Sequence, residues 1–451
     1  VTSFLDHEIG AIRAHSDAPV TTNLHGTGTF VDDYQLAQRL DFVSFDNYPF
    51  IDGSPKDLEQ IIASGWEGDR MRGLLGKPWL LLESCPSQPQ YMPHMRAKRP
   101  GTHRLMSLQH VAHGSEGVCC FQWRAGRGGM EKMHGAICMG DAPEHTRVFG
   151  EVCAIGRDLR NLGALRESDI QAEAVIVWDV HGQWHFDYNN GLRGVADPRA
   201  RALRFYRSLW EANIPVDVKT PQCDLSAYKL ILLPGVFMIP DGLAEGLRDA
   251  VAAGAAVLAD CLTGWLDADH KWLPGGRLGP LLRELFGVRP EEFDCLRQDE
   301  RVALQSNGEL LPEVCAAMEI CDLFHAESAE VLARYKGAFY ADQPVLTRKT
   351  TGKGEAWYLG ATLEPEACAT LLLRLCRRLQ INPVLPNVPA GAQVRKRKGP
   401  DGEWLFASNY TDKTVTITLE KPAVDLLAND KTPSAEITLA PFDARVFHTG
   451  S

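Results

Sequence analysis

Four short apolar runs in the first third of the chain each stop at a cluster of polar side chains. They are PVTTN (residues 19–23), DFVSFDNYP (41–49), KPWLLLESCPS (77–87) and GVCCFQWR (117–124). A short, nearly continuous apolar run is how a parallel strand buried on both faces reads. Helical patterns such as GTHRLMSLQHVAHG lie between the runs. The expectation for residues 1–165 is four successive β/α units. Their C-terminal strand ends gather Asn23, Asp46, Asn47, Tyr48, Glu83, Ser84, Gln122, Trp123 and Arg124. A (β/α)8 barrel builds its active site at that face. Four strands do not close a barrel; they leave two open sheet edges and an uncovered inner face. A partial (β/α)8 TIM barrel is therefore expected, with the rest supplied in cis or by another chain.

Residues 166–388 read as a second α/β domain. Its expected strands are AEAVIVWDV, PVDVKT, YKLILLPG and AAVLAD, and its expected helices are RALRFYRSLWEAN and DGLAEGLRDAVAAG. This alternation predicts a doubly wound open sheet. Residues 389–451 change character. EWLFASNYTD, TVTITLE, AEITLA and ARVFHTG alternate apolar with polar residues and predict a small antiparallel β-domain. Gly352-Lys353-Gly354 lacks the spacing of a phosphate loop and reads as a hairpin turn before AWYLG.

The chain carries 58 acidic and 47 basic side chains, a formal charge of -11. That balance argues against nucleic acid or an anionic membrane as partner. No apolar run approaches the roughly 18 residues of a membrane span. The opening VTSFLDHEIG has no signal-peptide pattern and no initiator Met, so the N-terminus reads as truncated and the expected localisation is cytoplasmic. Twelve scattered cysteines without a CxxC read as reduced, buried thiols. No ligand spacing for a metal stands out, and no cofactor is expected.

Glu83 is the leading catalytic candidate, because it follows WLLL where an inner strand leaves the sheet. A carboxylate there is costly to bury unless it is functional, ion-paired or capping a helix. Retaining glycoside hydrolysis needs two carboxyl groups about 5–5.5 Å apart, one as nucleophile and one as acid/base. Glu83 can supply the first. Glu8 lies in a helical stretch and should face outward, and Asp46 at a strand end reads either as a hydrogen-bond partner of nearby backbone or as a supporting group of the site. Glu131 and His134 form a Glu-x-x-His pair that shares a face if helical. Sugar hydroxyls, a metal, or simply a solvated loop would each explain the pair. Tyr48, Tyr91, Phe121 and Trp123 are the aromatic residues near these strand ends; sugar rings stack on such faces, although Phe121 reads better as core.

The segment LLLESCPSQPQYMPHMRAKRPGTHRLMSLQHVAHGSEGVCCFQWRAGRGGMEKMHGAI resembles the nucleophile region of the family-42 glycoside hydrolases, the β-galactosidases. PVTTN and DFVSFDNYP are similar to the two preceding barrel strands, and the likeness continues through TRVFGEVCAIGRDL and GKGEAWYLG into the tail. The resemblance implies barrel strands five to eight, a glutamine-amidotransferase-like trimerisation domain and a C-terminal β-domain. It implies Glu83 as nucleophile of a double displacement on β-D-galactosides, with Glu131 and His134 contacting galactose, Tyr48 facing the sugar, and Tyr91 where the family usually has a stacking Trp. Met130 stands where an aromatic residue often occurs. The family's acid/base is a Glu in an Asn-Glu pair closing strand four, ahead of where the resemblance begins. This chain alone is accordingly expected to be inactive, and a galactoside substrate and a homotrimer are the implied partners. α-L-Arabinopyranosides, with the same ring hydroxyls, are the alternative substrate. A non-catalytic oligomerisation or carbohydrate-binding remnant, or one subunit of a split enzyme, is the alternative from another class. Cys261 after VLAD has no partner by spacing, and the turn LLPGVFMIP has no cysteine, so amidotransferase chemistry is not expected.

Overall fold

The computed structural model describes residues 1–449 except 27, 52, 55, 93, 189–191 and 193–196. By its internal contacts the chain divides into two units, residues 1–171 with 383–451, and residues 172–382. Among the described residues no helix is long and apolar enough to cross a membrane.

The first unit holds four parallel strands in the order β1 (Asn23–His25), β2 (Val43–Asp46), β3 (Trp79–Glu83) and β4 (Ser115–Val118). Helices α1 (Thr2–Arg13), α2 (Asp33–Ala37), α3 (Asp57–Leu75), α4 (Thr102–Ala112) and α5 (Arg147–Asn161) alternate with them. Phe45, Trp79 and Leu81 are at most 1% exposed, and the Phe45 and Trp79 rings lie 4.8 Å apart. Both rings also pack against His110 of α4, so these residues face the helix layer; an irregularity in the ladder, where Phe45 pairs with Leu81 but Asp46 with Glu83, takes Glu83 out of their phase and beside Asp46.

Two strand limits differ from expectation. The run PVTTN predicted a strand, but the ladder begins only at Asn23. Before it, Thr21 Oγ1 donates to Phe42 O at 2.8 Å and Ser44 Oγ donates to Thr22 O at 2.9 Å, so side chains replace the backbone ladder. In GVCCFQWR the strand ends at Val118. The chain then turns across the strand ends, with Cys119 N donating to Leu81 O at 2.8 Å.

Helix α3 buries Glu67, Asp69, Arg70 and Arg72. Each charge is paired inside the unit: Arg70 meets Glu67 at 2.9 Å and Asp33 at 2.8 Å. Asp69 meets Arg72 at 2.8 Å, His113 at 3.1 Å and Arg395 at 3.0 Å. Burial pushes the Asp69 carboxyl up, but Arg395, His113 and Arg72 outweigh it and hold the carboxyl well below its ordinary value. The helix stops where Gly76, at φ 62°, donates its N–H to Arg72 O.

Arg395 comes from a five-stranded sheet over residues 392–449, antiparallel throughout. Its core holds Val394, Ala407, Ile417, Leu419 and Phe447, with the exposed Thr416 and Thr418 alternating between. That is the half-buried strand pattern predicted for this tail.

The second unit contains one 11-stranded mixed sheet. Strands β5 (Ala174–Val177), β6 (Val216–Lys219), β7 (Leu230–Leu233) and β8 (Ala256–Asp260) are parallel in the order β6-β5-β7-β8. Helices α6 (Val180–Tyr188), α7 (Pro198–Glu211) and α8 (Leu243–Ala253) connect them. Strand Gly354–Leu359 adds parallel to β8, and Pro344–Thr351 pairs antiparallel with it across the expected turn at Gly352-Lys353. Beyond this the sheet is antiparallel, which the doubly wound reading missed. Its longest strand, Val314–Ala326, is partly buried on both faces and so lacks a period-two signature. Cys261 is fully buried and accepts from Arg201 Nη2 at 3.2 Å. The LLPGVFMIP turn is held by Gly235 N, which donates to Asp260 Oδ1 at 2.9 Å.

Candidate active site

Glu83 is half-buried at the C-terminal end of β3. Its backbone carbonyl accepts from Asn47 N at 3.0 Å, and Ser64 Oγ fixes the buried Asn47 side chain at 2.8 Å. Its side-chain Oε2 accepts from Tyr48 OH at 2.5 Å. Burial, then this hydrogen bond, pushes the Tyr48 phenol far above its ordinary value, so Tyr48 stays a donor to the carboxylate. Asp46, the register partner of Glu83 on β2, accepts from Asn23 Nδ2 at 2.8 Å. Burial raises the Asp46 carboxyl to about 6.

A second group of residues walls the same strand ends. Met130–Met133 form a 3-10 turn, after which His134 is fully buried. The His134 ring packs edge-on against Tyr48 at 5.8 Å and Phe121 at 5.3 Å, and tilted against Tyr91 at 5.8 Å. Phe121 is therefore not core: it is half-buried and joins this ring cluster. Tyr91, 64% exposed, donates from OH to Glu131 Oε1, and that hydrogen bond raises the phenol above its ordinary value. Burial lowers the His134 imidazole, and Nε2 has no hydrogen-bond partner among the described residues. The neutral ring thus keeps one buried nitrogen uncommitted. Among the described residues no three His, Cys, Asp or Glu side chains are grouped to hold a metal ion.

Tyr48, Glu83, Tyr91, Phe121, Glu131 and His134 are thus brought together. Trp123 is not joined to them by any side-chain contact: it is 65% exposed, and its backbone carbonyl accepts from Cys138 N at 2.7 Å. Glu8 lies exposed on α1, facing outward as expected. Cys119, Cys153 and Cys295 are exposed, against the expectation of uniformly buried thiols.

Three supporting residues escaped the sequence reading. Gln90 clamps the Glu131–His134 turn: its N donates to His134 Nδ1 at 3.3 Å, its Nε2 to Met130 O, and its Oε1 accepts from Met133 N at 3.0 Å. Gly135 lies so close to the loop after β3 that an added Cβ would meet Ser87 Cβ at 2.8 Å and Gln88 N at 2.9 Å. Lys98 is 4% exposed, donates to Cys85 O at 2.7 Å, and is pushed down to about 8 by burial. No local pattern marks any of the three, since each acts through residues distant in sequence.

Three family models match along the chain. They are described as β-galactosidase (residues 1–162), β-galactosidase trimerisation domain (172–382) and β-galactosidase C-terminal domain (391–448). The β-galactosidase BgaA of a Planococcus species is 33% identical over 96% of this chain and 64% of its own length. The β-galactosidase GanA of Bacillus subtilis is 30% identical over 98% of this chain and 67% of its own length. Among solved structures, Gan42B, a GH42 β-galactosidase from G. stearothermophilus, superposes with a TM-score of 0.94 at 30% identity, covering 100% of this chain and 66% of that one. The chain thus spans about 64% of the length of the curated relative BgaA. With a β-galactosidase model over each of its segments and relatives along its whole length, this chain belongs to glycoside hydrolase family 42.

Proposed function

We propose that this chain carries the nucleophile side of a retaining β-galactosidase, with Glu83 attacking the anomeric carbon. The observation that carries the reading is the Tyr48–Glu83 hydrogen bond at a strand end walled by Tyr91, Glu131 and His134. A carboxylate that accepts a short hydrogen bond keeps one oxygen oriented and leaves the other for attack. His134 and Glu131 are assigned to galactose hydroxyls and Tyr91 to stacking on the sugar's C–H face. Tyr48 completes the substrate wall, and Trp123, exposed and apart from this cluster, is assigned a substrate contact on the resemblance alone.

The acid/base Glu is assigned to four further β/α units that complete the barrel, in cis or from another chain. Among the described residues no strand pairs with the outer side of β1 or of β4. Beside β4, Leu80, Val118, Leu159 and Leu162, together with the charged Glu116, Arg160, Arg166 and Arg397, line an open groove of about 520 Å³. On α5 only Ile155 is buried, and Val148, Phe149, Val152 and Leu159 are half-buried. Residues 172–382 are assigned to homotrimer assembly. The test is hydrolysis of a p-nitrophenyl β-galactoside by this chain alone and by this chain joined to a completing half-barrel. Activity in the completed protein, lost in Glu83→Gln, is expected. Equal activity in the Glu83→Gln form would refute the assignment. Completed, folded protein without activity on any galactoside or arabinopyranoside would favour the binding-remnant reading.

A further inference from the structure

Asp46 sits beside Glu83, and its two carboxyl oxygens have different surroundings. Oδ2 accepts from Asn23 Nδ2 on β1 at 2.8 Å. Oδ1 is buried and has no hydrogen-bond partner among the described residues. A buried carboxylate oxygen left without a donor carries a desolvation cost that a proton on it removes. Such a proton needs an acceptor, and Glu83, the register partner of Asp46 across β2 and β3, lies within side-chain hydrogen-bonding reach of it. The titratable groups around Asp46 are His25 on β1, Glu83 on β3 and Tyr48 just beyond β2. Burial, and then the charge and hydrogen bond of Glu83, raise the Asp46 carboxyl to about 6, partly offset by Asn23 and His25.

Resting on the reading of Glu83 as nucleophile, we propose that Asp46 is its positioning residue: it shares one proton with Glu83, so that the working pair carries a single negative charge, on Glu83. Tyr48 and Asp46 then hold the nucleophile from two sides. In the glycosylation step Glu83 forms the bond to the anomeric carbon, the bond to the departing oxygen breaks with its electron pair, and the Asp46 proton stays in place. When that proton is lost, two carboxylates at adjacent strand ends repel, and Glu83 turns away from the line of attack.

Two measurements decide it. The first is the carbon-13 carboxyl titration of Asp46 in this chain. Its inflection near about 6 is expected to fall in Glu83→Gln while staying above the ordinary carboxyl value of about 4, since that change removes the neighbouring charge and leaves the burial, the larger cause, in place. An inflection unmoved by Glu83→Gln overturns the shared proton. The second uses a fluorinated dinitrophenyl β-galactoside, whose phenolate leaves without protonation, and follows covalent labelling against pH by mass spectrometry on the barrel-completed protein. Labelling is expected to fall about ten-fold per unit above pH about 6. Asp46→Asn, whose amide still accepts from Asn23 and still donates to Glu83, should remove that fall, while Asp46→Ala should label slowly throughout. An Asp46→Asn profile identical to that of the unaltered protein overturns the positioning role. Labelling of a residue other than Glu83, or none, overturns the nucleophile assignment and the positioning role with it; the titration still reports separately whether the two carboxyls share a proton.

Discussion

Replacing Arg395 with Met removes a cation that lies 3.0 Å from both carboxylate oxygens of the fully buried Asp69. At that distance, with an effective dielectric constant of about 20, the pair attracts by roughly 5 kcal/mol. Breaking a buried pair by removing one partner costs about 3–5 kcal/mol. Because Arg72 and His113 remain beside Asp69, the lower end applies, about 3 kcal/mol. The pH dependence has a definite sign. Asp69 is held below its ordinary value in the folded state, so its contribution is present above about pH 4 and is lost only as pH falls below that. Between about pH 5 and 8 it is ionised folded and unfolded and gives no slope. His113 does give one. Burial first, then Arg395, push its imidazole down to about 4, against about 6.5 unfolded. The unfolded chain therefore binds more protons in that window, and stability rises with pH through it. Without Arg395, His113 takes up a proton beside Asp69 more readily, so the substitution costs less at about pH 5 than at about pH 8. Urea unfolding of the two proteins at both pH values measures this. A cost below about 1 kcal/mol at pH 8, or an equal cost at both values, would refute the network. The double variant Asp69→Asn with Arg395→Met should cost less than the sum of the single changes.

Further outcomes follow from the same structure. Lys98→Met should flatten the pH dependence of stability between about pH 8 and 10.5. The folded lysine lies below its unfolded value, so the unaltered protein gains up to about 3 kcal/mol across that window and the variant does not; denaturant midpoints against pH give the answer. Tyr48→Phe removes a hydrogen bond to a charged carboxylate worth about 1.5–3 kcal/mol, so kcat/KM of the barrel-completed protein should fall about ten- to hundred-fold with the fold intact by circular dichroism. Gly135→Ala should destabilise the first unit by about 1–3 kcal/mol and loosen the Glu131–His134 turn, read as faster amide exchange at Met133 and His134.

How much of this was legible depends on how local each signal is. The apolar run WLLL ending at Glu83 announces a buried strand and its exit within a few residues, and DFVSFDNYP does the same for Tyr48. The limits of β1 and β4 were misplaced because β-branched Thr21 and Thr22 and apolar Cys119 to Phe121 fit a strand pattern. Their backbones instead leave the ladder, for side-chain bonds in one case and a crossing of the strand ends in the other. Helix α3 left no amphipathic trace, because its buried face carries charges whose partners include Arg395, more than three hundred positions away. Phe121 read as core by its apolar neighbours, yet its ring is directed to His134. The antiparallel half of the second sheet is buried unevenly on both faces and so shows no single period.

The central claim is that Glu83 is the nucleophile, and covalent trapping tests it most directly. The barrel-completed protein would be incubated with the fluorinated dinitrophenyl β-galactoside, digested, and the modified peptide sequenced by tandem mass spectrometry. The account predicts one added fluorogalactosyl group per chain, as an ester on Glu83 within the peptide containing LLLESCPS, and no adduct in Glu83→Gln. An adduct on any other carboxylate, or one that persists in Glu83→Gln, would contradict it.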